Sequence, residues 1–345
     1  MKAYVLDGPR RGMVREVPIP VPGEGEVLIK VVSAGLCGTD AHIYLGEFYS
    51  KYPLIPGHEF AGVVAGVGKG VKRFREGQRV AADPNVFCEK CDYCRQNVQN
   101  FCRDFQAIGV TRDGAFAEYV VAPEASVFDI GEMDFVEAAM IEPLACVVYG
   151  QQRARPELGT TVLIFGAGPI GLLHLQLARC NGASFVAVAD IKEERLALAD
   201  GLGADLVVIN DAAGNGRLRE RFPNGFDLVI DTTGVPKVVE AAVPYVKNAG
   251  TLLIFGVCPN DSTIRLSPYE IYKRDLKIVG SFALKKTFQA AINLLQNKRV
   301  VVSPLIGERI TLAQLLERME EFVAGRNRLK TVVCLDEALA GIQPL

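Results

Sequence analysis

The sequence contains no long uninterrupted apolar run. No segment approaches roughly 18 uncharged apolar residues, which excludes a membrane-spanning helix. The apolar core of a signal peptide is also missing, because the chain already reaches an acid at Asp7, and we therefore expect a cytoplasmic location. The total charge is nearly balanced, with 38 Lys and Arg against 40 Asp and Glu, and the sequence has no block of like charge. This balance argues against a disordered tail and against nucleic-acid binding.

Histidine is scarce and cysteine is unevenly distributed. The chain has three histidines and nine cysteines in 345 residues, a length that suggests about two domains. The odd number of cysteines disfavours a fully paired disulfide framework. Four of them, Cys88, Cys91, Cys94 and Cys102, lie close together, and in a reducing compartment such a cluster indicates a metal site.

The pattern of secondary structure changes along the chain. Up to residue 130, short apolar runs alternate with Pro and Gly roughly every eight to twelve residues, which predicts a β-rich domain without a helix of any length. A single helix is expected over 134–155. From Thr160 onward strands alternate with helices, which predicts an α/β domain with a parallel sheet covered by helices on both faces. The tail is expected to form a helix, a strand at 300–302, a second helix and a last strand.

A glycine-rich segment follows the first of these strands. Gly166, Gly168 and Gly171 form a G-x-G-x-x-G motif between the strand 162–165 and an amphipathic helix. The first glycine permits a tight turn, the second lets the backbone approach a pyrophosphate, and the third lets helix and strand pack closely. Pro169 suits the first helical turn. The motif predicts a dinucleotide site.

Asp190 ends the next strand and bears on the choice of cofactor. Its carboxylate would accept hydrogen bonds from the adenosine ribose and repel a 2′-phosphate, which favours NAD over NADP. Two alternatives stay open. Asp190 could be nothing more than a cap of the helix that starts at Lys192. Arg195 could neutralise a 2′-phosphate, which would allow NADP to bind.

The cysteine cluster has the spacing C-x2-C-x2-C-x7-C in a polar loop. Four thiolates around Zn²⁺ make a closed tetrahedral site that holds a loop with little core of its own, so this metal would be structural. An iron–sulfur cluster is the competing interpretation, because short C-x2-C spacings occur there too. The spacing and the absence of a basic patch disfavour a nucleic-acid-binding zinc finger.

Four further residues are candidates for a second, open metal site: Cys37, His58, Glu59 and Glu142. One cysteine, one histidine and carboxylates can share a Zn²⁺ and leave a position for water or substrate. From the residues alone, a buried Cys37, a hydrogen-bonded His58 and a surface Glu59 without any metal remain the alternative.

The order of several motifs carries a family resemblance. The motifs are Gly35–His42 (GLCGTDAH), Gly57–Gly62 (GHEFAG), the four-cysteine loop, Gly114–Tyr119 (GAFAEY), Glu142–Ala145 (EPLA), Gly166–Gly171 with Asp190, and Gly250–Thr251. Over essentially its full length the chain resembles the zinc-containing medium-chain alcohol dehydrogenases, and most closely their sorbitol (polyol) and threonine dehydrogenase branch. The resemblance implies a GroES-like catalytic domain, 1–150 with 284–345 returning to it, interrupted by a Rossmann NAD-binding domain at 151–283.

The resemblance also implies roles for the candidate metal ligands. Cys37, His58 and Glu59 match ligands of the catalytic zinc, and Glu142 stands where polyol dehydrogenases place a glutamate near the metal. Pro143 occupies the position of a cysteine ligand in simple alcohol dehydrogenases, and this difference favours the polyol branch.

Further residues match the proton relay and the cofactor contacts of the family. Thr39 and His42 match the relay, and Asp40 matches an acid that orients His58. The positions that contact NAD in the family are, beside the glycine motif, Ile170, Asp190, Arg195, Phe255, Gly256, Val257, Gly280, Ser281 and Phe282.

Departures from the family leave the substrate open. Ser281 and Phe282 replace an arginine-tyrosine pair of the polyol dehydrogenases, and the aromatic that follows the relay histidine is displaced to Tyr44. His174 is expected to be an ordinary residue of a helix face. The remaining cysteines are expected to be small core residues: Cys146, Cys180, Cys258 and Cys334.

The activity that the resemblance implies is reversible oxidation of a secondary alcohol, a polyol or its phosphate, to the ketone. One catalytic and one structural zinc per chain and NAD would be the cofactors. The proton would leave through Thr39, the nicotinamide ribose and His42, while hydride moves to the nicotinamide. Relatives suggest a homotetramer or dimer without a nucleic-acid or membrane partner.

Four other functions stay open at this point. L-threonine 3-dehydrogenase or small-carbonyl reductase activity would use the same residues. A non-catalytic dinucleotide-binding protein is a more distant alternative, and a zinc-dependent nucleic-acid binder ranks last.

Overall fold

The computed structural model describes residues 1–326 and 328–340. It divides the chain into two compact units: Met1–Pro143, Phe288–Gln296 and the described residues from Val302 onward form the first, and Leu144–Thr287 with Asn297–Val301 form the second. None of the described helices combines the length and the apolar character that a membrane-spanning helix requires. The assignment of 1–150 with 284–345 to a catalytic domain, and of 151–283 to a NAD-binding domain, stays a prediction.

The first unit is built on a mostly antiparallel seven-stranded sheet in the order β16-β17-β3-β4-β5-β9, with β8 on β3. A hairpin, β1-β2, and a two-stranded sheet, β6-β7, accompany it. Its strands are β1 (Lys2–Gly8), β2 (Arg11–Glu16), β3 (Glu26–Gly35), β4 (Glu59–Val67), β5 (Arg79–Ala82), β6 (Asn85–Val86), β7 (Gln106–Ala107), β8 (Tyr119–Pro123), β9 (Val127–Asp129), β16 (Ile306–Thr311) and β17 (Lys330–Cys334). Ile29, Phe60 and Phe116 lie in its core, fully or almost fully buried.

Short helices flank these strands: α1 (Gly38–Leu45), α2 (Asp92–Arg95), α3 (Phe135–Ala138), α10 (Phe288–Gln296) and α11 (Leu315–Val323). The expectation of no helix before residue 130 is therefore wrong for α2, a single turn, and for α1. This helix follows β3 directly and ends at Gly46 in the left-handed conformation, so it is too short to show an apolar period.

The second unit has a parallel six-stranded sheet in the order β12-β11-β10-β13-β14-β15. Its strands are β10 (Thr161–Phe165), β11 (Phe185–Asp190), β12 (Leu206–Ile209), β13 (Phe226–Asp231), β14 (Val246–Ile254) and β15 (Lys277–Gly280). Its helices are α5 (Pro169–Cys180), α6 (Glu193–Gly201), α7 (Ala212–Arg221), α8 (Pro236–Ala242) and α9 (Pro268–Lys273). The strand order reverses between β10 and β13, where α/β sheets bind ligands beyond their carboxyl ends. The predicted parallel sheet is confirmed.

The helix predicted over 134–155 is interrupted. The structure has α3 and then α4 (Ile141–Ala154), with Ala139 and Met140 between them. Pro143 lacks an N–H and its ring would clash with the carbonyl of Ala139 in a continuous helix, so it is tolerated only in the first turn of a new one.

The strand predicted at 300–302 is also wrong. Val302 has helical backbone angles, and the N–H and C=O of Val301 are hydrogen-bonded to the side-chain amide of Gln176 at 2.8 and 3.0 Å. With both polar groups satisfied by a side chain, this segment needs no strand partner. The strand of this region is β16, which pairs in parallel with β17.

Candidate active site

The structure brings together three of the four predicted ligands of the open metal site. Cys37 precedes α1, His58 precedes β4, and Glu59 is the first residue of β4. One ligand atom of each lies within 4.8 Å of the others. Because Gly35 of β3 pairs with Glu59 of β4, the ends of two neighbouring strands bring the ligands together.

Asp40 holds the segments that carry these ligands. Its carboxylate is fully buried, accepts a hydrogen bond from the N–H of Cys37 at 2.9 Å and another from the N–H of Gly57 at 3.2 Å. Nδ1 of His58 lies 3.4 Å from Asp40 Oδ1. This placement fits the predicted role of orienting His58, which stays a prediction.

The surroundings of His58 favour a positive charge. Burial alone lowers its pKa, but the charges of Asp40 and Cys37 and their hydrogen bonds outweigh burial and hold the pKa of His58 well above its usual value. A metal ion that binds here competes with this proton, because a metal ligand has to be deprotonated.

Lys330 was missed by sequence reasoning. It is the first residue of β17, is 7% exposed, and forms an ion pair with the carboxylate of Glu59. Burial lowers the pKa of Lys330, but the charges of Glu59 and Cys37 raise it above its usual value. No motif surrounds Lys330 in the sequence, so only strand pairing reveals it.

Glu142 is not part of the compact ligand set. It is buried in the first turn of α4, and among the described residues the set within 4.8 Å contains no atom of it. Its charge acts on Lys330 and on Asp83. Burial raises the pKa of Asp83 to about 7, and Glu142 adds to the rise. Glu142 therefore belongs to the same charged region as Lys330, outside the compact set of Cys37, His58 and Glu59.

The two predicted relay residues lie on one face of α1. Thr39 and His42 are three positions apart and half-buried. His42 Nδ1 lies 2.8 Å from Glu47 Oε2. Tyr44, by contrast, is buried and donates its hydroxyl proton to Glu320.

The donor set fits a zinc ion. One thiolate, one imidazole and one carboxylate are ligand types that Zn²⁺ accepts, and three protein donors leave a fourth position open. Cys37 and His58 would hold the ion, with Glu59 as the third donor that also pairs with Lys330.

The four-cysteine cluster is a separate and closed set. Cys88, Cys91, Cys94 and Cys102 have sulfur atoms within 4.8 Å of one another, in the loop between β6 and β7. The N–H of Cys88 donates to Cys102 Sγ at 3.3 Å and that of Cys91 to Cys88 Sγ at 3.4 Å. In the part of the chain that the structure describes, the set holds four thiols and no other ligand, which fits a structural zinc.

The glycine motif has the geometry of a phosphate-binding turn. Gly166 follows β10 with φ of 101°, and a Cβ on Gly171 would overlap the carbonyl oxygen of Gly166. Gly168 and Pro169 begin α5, whose N-terminus offers free N–H groups to an anion.

Asp190 is bound to the same turn. Its Oδ2 accepts from the N–H of Ala167 at 2.6 Å and its Oδ1 from the N–H of Lys192 at 2.9 Å. Lys192 is the N-cap residue of α6, so Asp190 contacts the start of this helix, and the hydrogen bond from Ala167 ties the same carboxylate to the glycine turn. A Cβ on Gly168 would lie 3.9 Å from a guanidinium nitrogen of Arg195, which places that cation beside the turn.

Apart from Ile170, the other predicted cofactor contacts lie at the ends of β14 and β15. Phe255 and Gly256 donate their N–H groups to the carbonyl of Asp231 at 3.0 and 2.9 Å, which fixes the turn. Val257 and Phe282 are exposed. Ile170, in the first turn of α5, and Ser281 are half-buried.

His174 is a buried core residue. It is fully buried in α5, its ring lies edge-on to Phe255 with 4.6 Å between centroids, and its Nδ1 lies 3.3 Å from the side-chain amide of Gln151. Burial lowers the pKa of His174 to about 3, so the imidazole is neutral.

The expectation that the four isolated cysteines are core residues is only partly right. Cys334 is buried, Cys146 and Cys258 are half-buried, and Cys180 is exposed. Cys180 is the last residue of α5, where the helix ends at the surface, and its Sγ lies 3.3 Å from the carbonyl of Arg299.

Comparison with known proteins identifies the family. The model for the alcohol dehydrogenase GroES-like domain matches residues 23–132, and the zinc-binding dehydrogenase model matches 169–297. D-arabinitol dehydrogenase 1 of Uromyces fabae is 36% identical, over 96% of this chain and 97% of the relative. D-altritol 5-dehydrogenase of Agrobacterium fabrum (strain C58) is 40% identical, over 89% and 91%.

A solved structure has the same fold. A zinc-binding dehydrogenase from Sinorhizobium meliloti 1021, bound to NADP, superimposes with a TM-score of 0.91 and 35% identity, over 96% of this chain and 98% of that chain. These matches confirm the predicted fold class, a GroES-like domain with a Rossmann-type domain. The chain belongs to the zinc-containing medium-chain dehydrogenases, in the polyol dehydrogenase branch.

Proposed function

We propose that the protein oxidises a secondary hydroxyl of a sugar alcohol, or of its phosphate, to the ketone in a reversible reaction with NAD. The observation that carries this proposal is the open donor set of Cys37, His58 and Glu59, whose ligand atoms lie within 4.8 Å of one another. The names of the arabinitol and altritol dehydrogenase relatives support a polyol substrate.

A zinc ion held by this set would supply a Lewis acid that lowers the pKa of the substrate hydroxyl. The protein's own part is to place and move the proton. Thr39 offers a hydroxyl on the half-buried face of α1, and His42 on the same face can take a proton and return it to solvent. Glu47 orients the ring of His42 from its Nδ1 side.

NAD would supply the hydride acceptor, and Asp190 supports NAD over NADP. Both carboxylate oxygens already accept backbone N–H groups, yet each retains a lone pair for a ribose hydroxyl. Arg195 beside Gly168 and the NADP-bound relative support the opposite choice.

Asp190→Asn tests the role of this carboxylate, because it removes the charge and keeps the shape of the side chain. The ratio of kcat/KM with NAD to kcat/KM with NADP should fall about tenfold. Asp200→Asn, an exposed change in α6, is the control. An unchanged preference in Asp190→Asn would contradict the assignment.

The remaining predicted features complete the proposal. Cys88, Cys91, Cys94 and Cys102 hold a structural zinc, and Glu142 acts near the catalytic one. None of the nine cysteines, which all lie in the described part of the chain, forms a disulfide, and this supports a reducing, cytoplasmic environment. The outer edge of β15, whose side chains are largely exposed, supports a homo-oligomer, a dimer or tetramer, which light scattering after gel filtration would measure.

The decisive experiment combines metal analysis with a substrate panel. Two zinc ions per chain are expected, with turnover of arabinitol, altritol, sorbitol, xylitol, galactitol or their phosphates in preference to threonine and butanediol. Turnover of threonine alone would instead identify an L-threonine 3-dehydrogenase. Reduction of small carbonyls without polyol oxidation would identify a reductase, and cofactor binding without any turnover would identify a non-catalytic protein.

A further inference from the structure

The ion pair between Lys330 and Glu59 reaches across a third strand. Lys330 begins β17 and Glu59 begins β4, and β3 lies between these two strands. Neighbouring strands are about 4.8 Å apart, so the side chain of Lys330 has to pass over the end of β3 to reach the carboxylate.

Sheet register places the pair on one face. Gly35 of β3 is paired with Glu59 on one side and with Val332 on the other. Residues that pair directly share a face, and Lys330 is two positions before Val332, so it shares that face as well. Gly35 is therefore the residue over which the lysine passes.

Gly35 has no side chain at the point where one would block this path. A Cβ there would overlap Oε2 of Glu59 and would lie 2.8 Å from Cε of Lys330. The gap left by glycine lets a cation from β17 contact an anion on β4, both almost completely buried.

Negative charge is concentrated around this pair. The buried carboxylate of Glu59 pairs with Lys330, and that of Asp40 lies beside His58 of the same ligand set. The charges of Cys37 and Glu142 also act on Lys330. Buried carboxylates without a counter-charge are costly. Lys330 is a cation of the protein itself at the place where a metal cation would bind.

We propose that Lys330 is the resident counter-ion of the catalytic metal site, which holds Glu59 when the metal is absent and competes with the metal for it when the metal binds. This inference rests on the proposed function, because it takes Glu59 as a zinc ligand. Lys330 is a positioning residue that sets metal affinity, and Gly35 is the gap that lets it act.

The test measures zinc affinity and the stability of the metal-stripped protein. In Lys330→Met the metal no longer meets a neighbouring ammonium, so zinc should bind the open site at least about tenfold more tightly in competition with a chromophoric chelator. The stripped variant should melt at a lower temperature than the stripped parent. Lys330→Arg keeps the charge and should stay close to the parent in both measurements. Lys30→Met removes an exposed lysine from β3 and controls for loss of charge alone.

Cobalt supplies a readout that does not depend on turnover. Co²⁺ in the open site gives visible absorption bands that report ligand geometry, and these bands should persist in Lys330→Met. Zinc affinity equal to that of the parent would overturn the inference. Weaker zinc binding would overturn it too, because Lys330 would then only hold Glu59 in place for the metal.

Gly35→Ala tests the gap with Lys330 still present. It should separate the pair and lower the melting temperature of the stripped protein, as Lys330→Met does, whereas a parent-like melting temperature would contradict the role of the gap. Zinc affinity is not compared in this variant, because the new Cβ would also overlap Oε2 of the ligand Glu59. A parent that binds a single zinc per chain, at the four cysteines, would instead overturn the proposed function and this inference with it.

Discussion

The two metal-ligand sets of the first unit are built in opposite ways. The four-cysteine set is contained in one loop between β6 and β7, and two of its sulfurs, on Cys88 and Cys91, are partly exposed. The open set takes Cys37 from the short segment between β3 and α1, and Glu59 from the start of β4. Asp40 accepts hydrogen bonds from the backbone beside these ligands, and Lys330 pairs with Glu59.

This difference shows where each site obtains its order. A loop with little apolar core depends on its metal for structure, because binding energy becomes folding energy. The open set is held by strand register and by a buried core, so its ligands are in place because the sheet folds. Metal loss should therefore affect stability at the closed site and chemistry at the open one.

Cys37→Ala should produce the largest effect. Without its thiolate ligand the open site should lose its zinc, and kcat/KM should fall by roughly a thousandfold or more. The melting temperature, NAD binding and the zinc at the four cysteines should change little. Cys180→Ala, at an exposed cysteine, is the matched control. Retained zinc and turnover in Cys37→Ala would end the assignment of the open site.

Cys94→Ala should give the reverse pattern. Loss of the structural zinc should release the loop, make it sensitive to limited proteolysis, and lower the melting temperature by roughly 5–10 °C. The zinc at the open site should remain. Iron and visible colour in the purified parent would show an iron–sulfur cluster instead, and an unchanged melting temperature would contradict a structural role.

Thiol reactivity after zinc removal tests whether the loop depends on its metal. In the ordered loop, hydrogen bonds from backbone N–H groups lower the pKa of Cys91 to about 6, whereas burial and neighbouring thiols raise the pKa of Cys94 to about 12. Release of the loop removes these causes, so Cys91 and Cys94 should be alkylated at similar rates once the zinc is gone. Peptide mapping by mass spectrometry would measure both rates. Alkylation of Cys91 about a hundredfold faster than that of Cys94 would show a loop that keeps its structure without zinc and would contradict this prediction.

The two buried histidines give the smallest expected effect. His58 has an acidic partner, Asp40, whereas burial alone acts on the pKa of His174. The pKa of His174 is about 3 in the folded protein and near 6.5 when unfolded, so between these values the unfolded state binds more protons. Stability should therefore fall with decreasing pH, by roughly 2 kcal/mol from pH 6.5 to 4.5. His174→Gln should lack this part of the slope in urea unfolding. Parallel pH profiles for parent and variant would contradict it.

Much of the fold was predictable because its signals are local. The parallel sheet follows from alternating strands and helices, and the glycine motif from three glycines between a strand and a helix. One error occurs where a distant group decides local structure, because Gln176 satisfies the backbone of Val301 and makes a strand unnecessary. The other has a local cause, because Pro143 divides one predicted helix into two.

Motifs and local patterns were enough to predict the family, the parallel sheet, the cysteine cluster and the candidate ligands, because each depends on residues close together in the chain or on motifs in a characteristic order. Chain folding was needed to show that Cys37, His58 and Glu59 meet while Glu142 stays outside their compact set. It also decided that Lys330 joins them through the gap at Gly35. The physical reason is strand pairing, which brings residues far apart in the chain onto one face of a sheet, where no local pattern records their contact.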